Sequence, residues 1–192
     1  MSVSANHWKE IERVARLHRC ESLLLGLRNV NEQTADPQFD RLLSTLPCDV
    51  VILRSSAGWR LDQTRRILVP VGGEGLHSPL RARLLGSLRR LVQAQTTYLS
   101  VLPPSASQSD VERAQQQLCI CVEDEMDGNA ETIVETHADP AEYVIRRAAN
   151  HDLIVLGLQQ LENRKRMIGE FALRIARGTQ CALVILGHKP RS

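Results

Sequence analysis

The chain has 192 residues, a formal net charge of +2 and 43% hydrophobic residues, enough apolar material for one or two packed cores. The near-neutral balance argues against a nucleic-acid protein, which would carry a clustered basic face. No apolar run approaches the ~20 residues of a membrane-spanning helix, and Met1-Ser-Val-Ser lacks the charged-then-apolar start of a signal peptide. The expectation is a cytoplasmic chain with no direct membrane insertion. Aromatic residues make up 3%, so the core must be built from Leu, Ile, Val and Ala, the usual filling of a parallel sheet covered by helices.

In chain order, a helix is predicted over Trp8–Leu17 and a strand at Leu23-Leu-Leu25. A second helix follows, then a strand at Val50-Val-Ile-Leu53 and a linker at Ser55–Thr64. Arg66-Ile-Leu-Val-Pro-Val71 reads as a buried strand that runs into the tight loop Gly72-Gly-Glu-Gly75. Ser78-Pro79 is an N-cap followed by an N1 proline. The next helix carries Leu80, Leu84, Leu85, Leu88, Leu91 and Val92 at helical spacing, with Arg81, Arg83, Arg89 and Arg90 on its remaining surface. Those arginines read as a solvated face, with anion binding as the functional alternative.

The strand Thr97–Leu102 is stopped by Pro103-Pro104, and Ser109-Asp-Val-Glu112 has capping-box spacing for the following helix. That helix runs through Ala114, Leu118, Cys121 and Val122 to a turn at Asp127-Gly128. Asp124 and Glu125 in its last turn read as solvated. Glu131–Thr136 is a strand. Asp139-Pro-Ala-Glu142 combines N-cap, N1 proline and N3 glutamate for a helix that ends near Asn150. Leu153–Leu156 is a strand ending at Gly157. A helix holding Ile168, Phe171, Ala172, Ile175 and Ala176 follows, with Gly178 expected as its left-handed C′ residue. Ala182–Leu186 is the last strand. Alternating strands and helices imply a parallel sheet with right-handed crossovers and a ligand crevice at the carboxyl ends of its strands.

Residues 1–63 repeat the second half of this unit. Cys20–Asn29 matches His151–Gln160, with Gly26 recurring as Gly157 131 residues on. Leu46–Arg54 matches Thr179–Gly187, with Cys48 recurring as Cys181 133 residues on. The expected organisation is a back half-domain at 1–58, a linker at 59–65 and a complete domain at 66–192. The first unit lacks its opening strands, so the chain is expected to begin inside a longer protein or to have lost that front.

The runs Arg66–Val71, Asp152–Gly157 and Cys181–Leu186 resemble the universal stress protein family over residues 66–187, and over 6–54 as a half-domain. The resemblance implies an α/β fold, flavodoxin-like or adenine nucleotide alpha hydrolase-like. Its five-stranded doubly wound sheet has the order 3-2-1-4-5 and is preceded here by a half-domain of the same fold. It also implies pairing through the last strand, as dimers or tandems, and ATP binding in one branch. That branch carries G-x2-G-x9-G-[ST] after the fourth strand. Gly157 matches its first glycine, Gln160 replaces the second, Gly169 comes one residue early and Glu170 replaces the hydroxyl residue. Gly72 stands where an aspartate usually ends the first strand. The candidate cofactor-binding residues are therefore Gly72, Gly73, Gly75, Gly157 and Gly169, with no cofactor expected and ATP as the ligand they would take otherwise.

A narrower resemblance, in Arg65–Gly73, Leu80–Leu88 and Gly169–Ala176, is to the cytoplasmic tail of bacterial amino-acid permeases of the amino acid–polyamine–cation superfamily. It implies a membrane transporter domain in the same polypeptide, and hence tethering to the inner face of the membrane, together with a homo-oligomer. Cys20, Cys48, Cys119, Cys121 and Cys181 are odd in number and scattered, so free thiols and no metal are expected. His137 lies near the crevice without an identifiable partner. No nucleophile–base spacing suggests catalysis. A non-catalytic regulatory or assembly module is the leading reading, and an ATP- or AMP-binding stress-response sensor is the alternative.

Overall fold

The computed structural model describes residues 7–27, 30, 37–56, 58–72, 78–160 and 166–188. Among them the strands are β1 (Ser22–Leu27), β2 (Asp49–Arg54), β3 (Arg66–Pro70), β4 (Gln95–Leu102), β5 (Glu131–Thr136), β6 (Leu153–Gly157), β7 (Gln159–Gln160), β8 (Arg166–Met167) and β9 (Ala182–Gly187). The helices are α1 (His7–Leu17), α2 (Pro37–Thr45), α3 (Pro79–Val92), α4 (Gln108–Met126), α5 (Pro140–Ala148) and α6 (Glu170–Gly178). Seven strands form one sheet in the order β1-β2-β9-β6-β3-β4-β5. The last five, read from β5 to β9, are the expected 3-2-1-4-5 sheet, with every neighbouring pair parallel.

β1 and β2 are parallel to each other, and β2 runs antiparallel to β9. In that junction Ile52 faces Ile185, its own repeat equivalent, flanked by Val50 opposite Gly187 and Arg54 opposite Leu183. A local twofold axis therefore passes between Ile52 and Ile185 and relates the two copies of the repeat.

Side chains alternate across the sheet, as the pleat requires. Leu25, Leu27, Val50, Ile52, Leu68, Leu99, Ile154, Leu156, Leu183 and Ile185 pack in one cluster with buried residues of α1, α2, α5 and α6, so this core runs across both repeats. The other face, with Ile67, Val69, Tyr98, Leu153, Val155, Val184 and Leu186, packs against α3 and α4. The linker follows this second face, with Trp59 packed against that cluster and a short 3-10 turn at Leu61–Gln63. The N–H groups of Arg65 and Arg66 then donate to Asp152 Oδ2 at 2.7 and 2.9 Å, which fixes the start of β3 beside β6.

Several local signals act as the sequence implies. Ser78 caps α3 by accepting from the Arg81 N–H, with Pro79 at the first helical position. Asp139 caps α5 by accepting from the Ala141 and Glu142 N–H groups. It also takes an ion pair from Arg174 of α6 at 2.5 Å, which holds its carboxyl below the usual carboxylate range. α4 ends with Asp127 (φ 50°) and Gly128 (φ 73°) in left-handed geometry.

Other expectations need correction. The capping box of α4 is formed by Ser107 and Asp110, two residues ahead of the predicted Ser109 start, because Ser107 is the residue whose hydroxyl meets the N3 N–H. Leu91 is 72% exposed, outside the buried stripe of α3. Gly178 does not have the left-handed conformation of a C′ glycine. It is the last residue of α6, and Thr179 beyond it is extended. What demands glycine there is packing, since an added Cβ would collide with Cδ1 and Cγ1 of Ile145 on α5.

Two stability predictions follow from this packing. Val155 is 1% exposed on a strand paired on both sides, so Val155→Ala should cost about 1–3 kcal/mol in urea unfolding through lost burial and a residual cavity. Gly178→Ala should also destabilise, by about 1–3 kcal/mol, although alanine is intrinsically the better helix former by roughly 1 kcal/mol. Adding Ile145→Ala should recover part of the loss, a coupling read from the double-mutant cycle.

Candidate functional site

The winding of the complete unit reverses between β3 and β6, which is where an open α/β sheet places its ligand crevice. Gly72 follows the carboxyl end of β3 and Gly157 ends β6; both are exposed, and among the described residues a Cβ on either would meet no atom within 4 Å. Those two candidate glycines are therefore brought to neighbouring strand ends facing open space. Gly169 is buried and serves as the N-cap of α6, without a side-chain cap. Gly73 and Gly75 lie outside the described residues.

Two further features of the nucleotide pattern differ physically from an open phosphate cradle. Gln160 sits in a two-stranded antiparallel ribbon, its backbone paired with Arg166. Glu170 is exposed at the first position of α6, so the helix end that would attract a phosphate carries a carboxylate instead.

The start of α3 holds an anion of the protein's own. Glu125 on α4 is buried, and its Oε1 accepts the Ser78 N–H at 3.1 Å. Arg81 donates Nε to Oε2 and Nη2 to Oε1, both at 2.7 Å, and the Tyr98 hydroxyl donates to Oε2 at 2.8 Å. Arg81 Nη2 also lies 3.2 Å from Cys121 Sγ. Burial opposes the charge on Arg81, but the bonds and charge of Glu125 outweigh it and hold the guanidinium above its ordinary value. Burial, reinforced by the Glu125 charge, pushes the Tyr98 hydroxyl up. Burial likewise moves the Cys121 thiol to about 11, against the pull of Arg81, so it is a protonated packing group rather than a reactive thiolate.

The sequence pattern places Arg81 and Glu125 on solvated faces, whereas the structure buries both. A signal was present. Arg81 shares the stripe of Leu85 and Leu88, and Glu125 shares that of Leu118, Cys121 and Val122. One opposite charge within the apolar stripe of each of two neighbouring helices points to a buried pair.

The other arginines of α3 have separate partners. Arg83 pairs with Asp49 of β2 at 2.6 Å, Arg89 donates to the Met126 carbonyl at 3.0 Å and Arg90 to Ser87 Oγ at 3.2 Å. His137 also has partners: its Nε2 accepts from Arg146 Nη2 at 2.8 Å, which leaves Nδ1 to donate to the Asp139 carbonyl at 2.7 Å. It belongs to the cap of α5 rather than to a free crevice.

A Ser–His–Asp grouping spans the β2–β9 junction. Ser78 Oγ is 2.8 Å from His188 Nε2, and His188 Nδ1 is 3.9 Å from Asp49 Oδ1. The latter distance is too long for a hydrogen bond, Asp49 is engaged by Arg83, and Ser78 Oγ accepts the capping N–H of Arg81 at 3.2 Å. This is a clasp between α3, β9 and β2 rather than the ordered relay of a nucleophile and its base. Among the described residues, no group of three or more His, Cys, Asp or Glu could hold a metal ion, and no helix is long and apolar enough to cross a membrane.

These features define an α/β protein of the universal stress fold, with the winding of its complete unit reversing between β3 and β6. No protein-family model and no curated protein matches the sequence. Solved structures do. The cytoplasmic domain of a prokaryotic cation chloride cotransporter aligns with TM-score 0.63 and 12% identity over 96% of this chain and 70% of its own. A universal stress protein from Archaeoglobus fulgidus DSM 4304 aligns with TM-score 0.59 and 14% identity over 95% and 65%. The universal stress protein from Archaeoglobus fulgidus in complex with dAMP aligns with TM-score 0.50 and 17% identity over 64% and 97%. At these identities the likeness establishes the fold, and the chain spans about two thirds of the length of the longer neighbours.

The buried pair makes a prediction. Glu125→Leu strands the Arg81 charge in the core, and the loss should reach about 3–5 kcal/mol in chemical denaturation. The double variant Arg81→Met, Glu125→Leu should be clearly more stable than Glu125→Leu alone, since no unpaired charge is left.

Proposed function

We propose that the chain is a non-catalytic regulatory or assembly module of the universal-stress type, with a degenerate nucleotide crevice. In this reading it forms the cytoplasmic part of an amino-acid transporter, joined to a membrane domain in the same polypeptide, and it self-associates.

One observation carries the degenerate-site reading: both helix starts near the β3/β6 switch already have a carboxylate. Glu125 accepts from the start of α3, and Glu170 opens α6. A phosphate would have to approach these negative groups, and Arg81, the buried cation nearest the α3 start, is committed to Glu125. Ser78 Oγ meets His188 Nε2, but the 3.9 Å separation of His188 Nδ1 from Asp49, which is engaged by Arg83, leaves the triad incomplete and supports a module without chemistry of its own. The likeness to a cotransporter's cytoplasmic domain supports the link to transport.

The alternative is an ATP- or AMP-binding sensor. Open space above Gly72 and Gly157 favours it, as does the likeness to a protein solved with dAMP. Calorimetric titration of the purified chain with ATP and AMP separates the two. The expected result is no dissociation constant tighter than about 1 mM, roughly −4 kcal/mol; micromolar binding establishes the sensor reading instead. Glu170→Ser with Gln160→Gly should move the chain toward binding by removing one carboxylate and restoring one glycine. For the transport link, the coding sequence upstream of Met1 is decisive: a multi-helix membrane domain in frame supports it, and an isolated gene rejects it.

A further inference from the structure

A second hollow lies at the other end of the sheet from Gly72 and Gly157. It has a volume of about 570 Å³ and is bounded by the amino ends of β3, β4 and β5 and by the carboxyl end of α5, all within the complete unit. That size is in the range that holds a small organic molecule.

Register and pleat set its floor. Arg66 is the strand partner of Gln95, and Thr97 is the partner of Glu131. Alternation places all four on the face of Leu68, Leu99 and Ile133, which is the face that α5 covers. Arg147, in the last turn of α5, lines the same hollow. Its Nε is buried and meets no acceptor. The buried guanidinium of Arg81, by contrast, takes both oxygens of Glu125. A buried donor on a charged group costs free energy until something accepts from it, so an unmet one marks a place for an acceptor.

The neighbouring acceptors are engaged elsewhere. The Arg147 carbonyl takes the Asn150 N–H at 3.2 Å and the His151 Nδ1–H at 2.9 Å, so the negative end of α5 is already met there. Glu131 Oε2 accepts the Thr97 hydroxyl at 3.0 Å. Asp152 Oδ2 accepts the backbone N–H groups of Arg65 and Arg66. Arg66 Nη1 lies 3.5 Å from the Asn150 carbonyl, longer than an ordinary hydrogen bond. Two arginines thus share the hollow with one carboxylate, Glu131, and the lining is net positive.

We infer that this hollow binds the oxyanion group, carboxylate or phosphate, of a small polar metabolite, with Arg66 and Arg147 as its donors. Guanidinium forks match the planar or tetrahedral oxygens of either group. The volume exceeds that of a bare ion, and Glu131 repels a second negative group, so the ligand carries hydroxyl or ammonium donors beside its oxyanion. The site is separate from the β3/β6 strand ends. It goes beyond the function proposed above and holds whether or not a nucleotide binds there.

Calorimetric titration of the full chain at low salt tests this with three probes: inorganic phosphate, glycerol 3-phosphate and L-glutamate. The expected result is saturable, submillimolar binding of glycerol 3-phosphate or of L-glutamate; the probe that binds tells phosphate from carboxylate. Arg147→Met and Arg66→Gln should each weaken it by at least about tenfold, whereas Arg90→Gln on α3 should leave it unchanged. Arg66 is exposed, so Arg66→Gln keeps the test valid if Arg147→Met fails to fold. Binding that survives both substitutions overturns the site. So do weak heats from every probe that sodium chloride reproduces, the mark of an adventitious ion only, and so does no saturable binding up to about 10 mM.

Discussion

The antiparallel pairing of β2 with β9 is the contact on which the rest of the molecule depends. Two parallel strands with helices on one side, which is what the first repeat contributes among the described residues, are too few for independent stability. Joined to β9, β2 loses its edge, and Val50 and Ile52 enter the same buried cluster as Ile154, Leu183 and Ile185. The pairing works in both directions, because β9 would otherwise end the complete unit with an apolar edge of its own. Equivalent strands meet at equivalent residues, so the chain uses one sequence pattern twice and closes two exposed edges with a single ladder.

The same junction gathers the polar contacts of the crevice side. Asp49, at the amino end of β2, lies beside the carboxyl end of β9 because the two strands are antiparallel, and so it reaches both Arg83 of α3 and His188. At the far end of β2, buried Arg54 donates to the Thr179 carbonyl at 3.0 Å, beside the carboxyl end of α6. A cation there suits the negative end of the helix, but burial pulls its guanidinium below the ordinary arginine value. The first repeat is thus fastened to the second by side chains at both ends of β2 as well as by the ladder.

Elements fixed by short-range chemistry were legible in the sequence. The caps at Ser78 and Asp139, the turn at Asp127-Gly128 and the apolar strands each depend on a few neighbouring residues, and the near-constant repeat offset gave the strand equivalences. What sequence spacing could not supply was the identity of partners across the fold. Gly178 has the residue type of a helix terminator, yet it answers to Ile145 on another helix. Arg81 and Glu125 lie 44 residues apart, and only the packing of α3 on α4 makes them one buried group. At the crevice the glycines were visible as a degraded motif, whereas the carboxylate at the α3 start was not, because it comes from α4.

That carboxylate links the packing of the complete unit to the chemistry of its crevice. A helix start presents unsatisfied N–H groups that something must meet. In an anion-binding protein the ligand can meet them, so binding also stabilises the fold. Here Glu125 accepts the Ser78 N–H from inside, while Arg81 and Tyr98 satisfy the remaining capacity of its oxygens. The Ser78 N–H at the start of α3 is therefore met from inside the fold, by a carboxylate that Arg81 and Tyr98 hold in place.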